Sequence, residues 1–438
     1  VALSSFDVIV IGAGAAGLMA AAVLAQAGRT VALVEARDRI GGRIWTRGEP
    51  DLRTPVELGA EFIHGHGAIT RTLLAKVGAT AIETSDGHCT LREGELQAGT
   101  GFFPQILRAI RETDILSKED MSFDTFLDQH LAHLLSPAER QSARMMAEGF
   151  DAADTARASA RAIIAEWTGD TLGSAPQSRP EGGYGSVLAA LAPALHSNVR
   201  LQLQSPVESV RWSKGSVRVA GRFMGAPFEV RGARAIITVP LGVLLQAPGT
   251  AGAVRFTPAL RAKSAALTML ASGPVVKIML RFVAPFWESL HEGRYRDVSF
   301  FHSPEAPFRT FWTTAPARAP MLVAWAGGPR AQRLSAGGCP ADMVRAAVTS
   351  LQGLFGAGVD IAGQLQGYYY HDWQQDPFAR GAYSYVVVGG GEARQTLAQP
   401  LEDTLYFAGE ATDTENEAGT VTGALQSALR AAREVLKA

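Results

Sequence analysis

Cysteine is nearly missing from this chain, which has two, Cys89 and Cys339, among 438 residues. Two thiols make no disulfide framework, and nothing around them has metal-ligand spacing, so no metal site is expected. An excess of either charge is missing too. The 41 Lys and Arg against 42 Asp and Glu leave a formal net charge of -1, which excludes a general nucleic-acid binder, because displacing counterions needs a basic excess. No apolar run reaches the roughly 18 residues that span a bilayer. The nearest, Ala15 to Ala25, belongs to a helix described below. The chain enters its first apolar strand within a few residues of Val1, leaving no room for a signal peptide unless one has been removed, and Ala438 follows no hydrophobic tail. These absences predict a cytoplasmic protein with no membrane anchor and no nucleic-acid partner, and leave monomer and homodimer equally open.

What is present is a globular composition, 47% hydrophobic and 19% charged. The length exceeds the size at which a single hydrophobic core stops growing, so two domains are expected. The organising stretch runs from Asp7 to Trp45. Val8 to Ile11 form an unbroken apolar, β-branched run, as in a parallel strand buried on both faces. Gly12, Gly14 and Gly17 follow at once. Their spacing suits a tight turn, a close backbone approach to a pyrophosphate and tight packing of helix on strand. The Ala-rich run to Ala27 predicts a helix whose unpaired N–H groups and positive dipole end face phosphates. Gly28 stops it, Thr30 to Val34 form a second strand, and Glu35 sits where a carboxylate accepts hydrogen bonds from an unphosphorylated ribose. Strand, turn, helix, strand and acid agree on dinucleotide binding by an α/β, Rossmann-like domain.

Ile69 to about Arg179 reads as mostly helical, with breaks at Gly87, Gly94, Gly99 to Gly101 and Pro137. Ser136, Pro137 and Glu139 supply a cap, a proline at the first helical position and an acid at the third. Glu148, Asp151 and Asp154 are expected mostly as solvated helix-surface charges. Gly182 to Leu195 returns to a helix. Val199 to Val210, Val217 to Val230 and Ala235 to Leu244 have strand patterns. Gly273 to Phe286 is a strand with one lysine, Lys277, among apolar neighbours; lysine is rarely buried unless paired. Tyr368 and Tyr385 are expected as core or sheet-pair aromatics, and Thr404 to Val435 reads as strand, acidic turn, helix.

Several of these segments resemble the flavin-dependent amine oxidase superfamily, in its polyamine oxidase and histone lysine demethylase-like branch. They are EARDRIGGRIWT (Glu35 to Thr46), ELGAEFIHG (Glu57 to Gly65), TVPLGVL (Thr238 to Leu244), VVKIML followed by Phe286 and Trp287, W-x-x-D-P-x-A-R-G-x-Y-S-Y (Trp373 to Tyr385), and FAGE followed by G-T-V-x-G-A. The resemblance spans nearly the whole chain and implies FAD rather than NAD. It implies FAD contacts from Gly12, Gly14, Ala15, Ala16 and Gly17, from Glu35, Ala36 and Arg37, and from Gly42 and Arg43 along the pyrophosphate. Gly59, Ala60 and Glu61 would line the loop that passes the flavin, and Val207 would touch the adenine edge. Gly409 and Glu410 would lie near the ribityl and pyrophosphate, and Gly419, Thr420 and Val421 near the pyrimidine carbonyl, where backbone N–H groups of Thr420 and Val421 face the ring.

For catalysis the resemblance implies that Lys277 holds a water beside flavin N5, Trp373 sits at the flavin edge, Tyr383 walls an aromatic slot and His64 faces the substrate channel. Thr420 replaces the second tyrosine of the monoamine-oxidase cage, which opens the site toward long or bulky amines. Ala382 replaces the cysteine that carries a covalent flavin in those enzymes, so the FAD is expected to be non-covalent. The FAD domain would comprise 1–68, 180–258 and 376–438, and an α+β substrate domain with a mixed sheet would comprise 69–179 and 259–375. The expected reaction oxidises an amine C–N bond to an imine, hydrolysed to an aldehyde, with O2 reduced to hydrogen peroxide. The competing readings are a carotenoid- or porphyrinogen-type desaturase, which needs neither the lysine strand nor the Trp-to-Tyr loop, and a non-catalytic flavoprotein binding module. An L-amino acid oxidase fits less well, because GAEFIHG lacks an arginine for the substrate carboxylate.

Overall fold

The computed structural model describes residues 5–85, 87–99, 103–169, 176–195 and 198–438. Gly101, one of the expected helix breaks, lies outside them. The first sheet is built on the strand Ser5–Ile11, whose Val8 to Ile11 side chains are buried as an apolar run between two layers must be. It pairs in parallel with Val31–Val34 on one side and with Ala226–Ile237 on the other. Val199–Gln202 and Leu405–Phe407 extend the parallel set outward. The helix Ala15–Gln26 ends before Gly28, whose φ of 77° no β-carbon residue adopts cheaply. This helix and the C-terminal helix Val421–Lys437 share one core on one face of the sheet. On the other face, Val207–Ser213 and Ser216–Phe223 form an antiparallel ribbon that continues into Ala226–Ile237.

Two expected strands are therefore four. Gln204, at a φ of 51°, breaks 199–210, and the turn at Met224 and Gly225 breaks 217–230. The strand expected over 235–244 ends at Ile237, after which Leu241–Leu244 is a short helix.

The second sheet has seven strands, with Val275–Phe282 between Met321–Gly327 and Leu365–Tyr370. The helix Pro340–Phe355 covers one face; the other meets Val56 and Leu58 of the first unit. The helical reading of 69–179 holds for Ala68–Lys76, Phe103–Arg111, Pro137–Phe150 and Ala160–Thr168. It holds too for the short turns Ile115–Lys118, Phe123–Thr125 and Phe126–His130, and fails between Lys76 and Phe103. His88–Arg92 and Glu95–Gly99 form a hairpin turned at Glu93 and Gly94, and the first of these strands adds in parallel to Phe300–His302. Pairing with a strand two hundred residues away is invisible to a local helical period. The expected cap at Ser136 is complete, with the Ser136 and Glu139 side chains satisfying each other's backbone N–H groups.

Candidate active site

Among the described residues, the two large sheets and the loops between them line a cavity of about 480 Å³. At one end the glycine turn shapes it. Gly12 has a φ of 102°, and a β-carbon there would lie 2.7 Å from Thr238 Oγ1. Gly14 faces Gly42 across the cavity edge, and Gly42 could not carry a β-carbon without meeting Gly14 Cα at 3.2 Å. The helix start at Ala15 and Ala16 borders the same space, where the first N–H groups of a helix have no partner within it. Glu35 ends the next strand at this lip, its Oε2 accepting from Ala13 N at 2.7 Å and its Oε1 from Arg37 N at 2.9 Å. Val207 borders the same end. Arg43 donates to Ala382 O and pairs with Glu410 at 3.0 Å. Burial pushes the Glu410 carboxyl up, but Arg43 and Arg394 outweigh it and hold it below the usual range.

The other end is lined by Lys277, Glu61, Trp373, Tyr383 and His64. Lys277 points into the cavity from Val275–Phe282, the second strand from one edge of the second sheet, its Nζ 2.7 Å from Glu61 Oε2 and donating to Gly59 O at 3.0 Å. Glu61 also accepts from Arg179 at 3.0 Å and from Trp312 Nε1 at 3.1 Å. Burial raises the Glu61 carboxyl, yet Lys277 and Arg179 together leave it lowered. Trp373 donates to Leu58 O at 2.9 Å, and its ring lies 3.4 Å from where a β-carbon on Gly59 would stand. Tyr383 donates to Phe150 O at 2.7 Å. Gly419, at a φ of 74°, puts its backbone against the Tyr383 ring. His64 stacks edge-on to Phe150, ring centroids 5.0 Å apart, and burial lowers its pKa to about 4. The imidazole is therefore neutral at physiological pH.

Residues 15–436 match the family described as flavin containing amine oxidoreductase. The chain belongs to that family. Its cofactor is FAD, and the side-chain-free cradle at Gly12, Gly14 and Gly42 fits the pyrophosphate of such a group. The chain is 30% identical over 470 residues to Lysine-specific histone demethylase 1 homolog 1 of Arabidopsis thaliana, covering 99% of this chain and 53% of the relative. It is 27% identical over 464 residues to Lysine-specific histone demethylase 2 of Homo sapiens, covering 98% and 53%. The chain thus spans about half the length of these curated relatives. Among solved structures, wild-type Putrescine Oxidase bound to putrescine aligns with a TM-score of 0.80 at 21% identity, covering 99% of this chain and 100% of that one. Cyclohexylamine Oxidase from Brevibacterium oxydans IH-35A aligns with a TM-score of 0.80 at 21% identity, covering 99% of each chain. At such identities the likeness establishes the fold.

Of the residues singled out in the sequence, the cavity brings together Lys277, Trp373, Tyr383, His64 and Thr420 with all of the expected FAD contacts but one. Gly17 does not border the cavity. A β-carbon there would stand 1.8 Å from Gly12 O, so this glycine serves the packing of helix on strand. Two others differ in detail. Glu61 commits its carboxylate to Lys277, Arg179 and Trp312, and the Thr420 N–H points at Glu417 O at 3.3 Å. Thr420 Oγ1 caps the last helix by accepting from Gly423 N.

Asp151 is not the solvated charge expected of it. It is 5% exposed at the cavity wall and accepts from Trp167 Nε1 at 3.1 Å. Burial and the nearby Glu166 push its carboxyl well up, and burial takes Glu166, which also borders the cavity, to about 7. Glu166 and Arg179 carried no local sequence signal; only the fold aims them inward.

Proposed function

We propose that this chain is an amine oxidase that converts the C–N bond of a small amine to an imine, which water hydrolyses to an aldehyde, with O2 as the electron acceptor and hydrogen peroxide as its product. The observation that supports this best is a paired lysine, Lys277, opening into the same cavity as Trp373 and Tyr383. FAD, when bound, supplies the hydride acceptor at N5 and the route of electrons to oxygen. The chain's own residues do the rest. Segments 1–68, 180–258 and 376–438 hold the cofactor, non-covalently because Ala382 offers no thiol, and 69–179 with 259–375 form the substrate domain. Tyr383 and Trp373 confine the amine, and the electron-rich tyrosine ring stabilises its nitrogen-bearing carbon. Neutral His64 adds no positive charge to repel the amine. Lys277 holds a water and moves a proton at its Nζ as oxygen is reduced.

The amine must be deprotonated to lose hydride, so turnover rises with pH as the free base appears. Anaerobic mixing of the yellow holoprotein with a panel of monoamines and polyamines should bleach its visible absorbance, and admitting air should restore it with release of peroxide. A panel that never bleaches it overturns the assignment.

A further inference from the structure

The turn from Glu148 to Ala153 is clamped at its backbone. A β-carbon on Gly273 would stand 2.5 Å from Ala152 O, one on Gly327 2.1 Å from Glu148 O and one on Gly328 2.5 Å from Ala153 O. Trp325 Nε1 donates to Gly149 O at 2.6 Å, and Tyr383 donates to Phe150 O at 2.7 Å. Ala152 is held at a φ of 50°, where a residue with a β-carbon is strained. Beside Phe150, this turn sets Asp151 at the cavity wall.

Burying a carboxyl is costly unless something meets it. Asp151 is 5% exposed; its Oδ2 accepts from Trp167 Nε1 at 3.1 Å, and its Oδ1 has no hydrogen-bond partner among the described residues. Glu166, on the helix Ala160–Thr168, brings a second carboxyl to the same wall. Burial holds both above the usual carboxylate range, Glu166 at about 7. The Tyr383 phenol faces both. Arg394 faces Glu166 as a cation while donating to Ser384. Glu410, paired with Arg43, and Glu417 face Glu166 as carboxyls. His64, against Phe150, is neutral.

We propose that Asp151 and Glu166 together take the proton from the substrate's ammonium group as the amine enters the slot beside Tyr383. The proposal rests on the amine oxidase reading and adds its base. An N–H bond of the ammonium breaks, its electron pair stays on nitrogen, and the proton forms an O–H bond on a carboxylate oxygen of the pair. The lone pair is then free on nitrogen when the neighbouring carbon gives up hydride. The proton passes to water after the product leaves. A carboxyl held near neutrality suits this work better than an exposed one, because a base acts best with its pKa near the working pH. The protein can thereby use the protonated form in which an alkylamine mostly exists at neutral pH.

The test follows anaerobic bleaching of the holoprotein from about pH 6.5 to about pH 9.5, at amine concentrations too low to saturate. The amine is hexylamine, benzylamine or hexane-1,6-diamine, whichever bleaches the parent protein fastest. Such rates track the protonation of the free protein and free amine. The parent's rate should level off above about pH 7, because from there to the pKa of the amine, about 10, the ionised pair and the ammonium both dominate. In the double variant Asp151→Asn with Glu166→Gln, only free base reacts. Its rate should start about a hundred-fold below the parent's at about pH 7 and rise about ten-fold per pH step. Asn at position 151 can still accept from Trp167, so the variant should fold. A double variant slowed equally at every pH, or not slowed, overturns the proposal, as does a parent rate that climbs throughout. If the double variant does not fold, Glu166→Gln alone should move the level region to lower pH, because Asp151 loses the neighbouring charge that raises it. An unmoved profile overturns the proposal. Failure of the amine oxidase reading shows separately, as a parent protein that none of the three amines bleaches at any pH.

Discussion

The Lys277 ammonium and the Glu61 carboxylate meet at 2.7 Å with side-chain exposures of 3% and 7%, and Arg179 reaches the second Glu61 oxygen at 3.0 Å. One buried anion thus serves two buried cations. Glu61→Gln leaves both cations uncompensated and should cost about 3–5 kcal/mol, as loss of one partner from a buried pair does. Thermal melting checks this, and the double variant with Lys277→Met should recover part of the loss. A single variant that melts like the parent removes the ion group from the account of stability.

Lys277→Met tests the role in oxygen reduction. Stopped-flow reoxidation of the reduced protein should slow by about a hundred-fold or more, the scale on which a positioned proton donor acts. Reduction by amine should change less. Equal reoxidation rates in the two proteins take Lys277 out of its proposed role.

Glu57 sets a pH dependence of opposite sign to the usual carboxylate. Burial raises it to about 7 in the fold, although Lys277, Thr46 and Tyr184 N all favour its charged form. As pH rises from the unfolded value near 4.5 toward 7, the unfolded chain loses this proton and the fold keeps it, so stability falls. The cost approaches about 3 kcal/mol, because each pH step of one between the two values is worth about 1.4 kcal/mol. Glu57→Gln, which can still accept from Thr46 and Tyr184, should lose less stability between pH 5 and 8 in denaturant titrations. Glu61 and Glu410 act the other way, because their lowered carboxyls add stability that is present above the unfolded value and lost as pH falls through the folded one.

Gly14→Val separates folding from cofactor binding. A β-carbon at Gly14 meets nothing nearer than 3.8 Å in the protein, and its φ of -73° suits any residue. The variant should fold, with its side chain in the FAD cradle, and bind FAD about ten-fold or more weakly in a reconstitution titration. Unchanged affinity would move the pyrophosphate away from this turn.

Precipitating the holoprotein with acid should release all the yellow colour to the supernatant, because Ala382 stands where a covalent link would need cysteine. Colour retained in the washed pellet contradicts a non-covalent FAD.

The residues by themselves determined the parts of this protein that depend on local order. The strand from Val8, the turn at Gly12, the helix to Gln26 and the acid at Glu35 follow within thirty residues of one another, so period and spacing fully describe them. Resemblance to known motifs named Lys277, Trp373 and Tyr383. Only the tertiary structure decided that Glu61 faces Lys277 across more than two hundred residues of sequence, that His88–Arg92 is a strand beside Phe300–His302, and that Asp151 is buried at the cavity wall. A local pattern reports which face of an element is apolar; it does not report which distant element covers that face, and burial and charge pairing are properties of the covering.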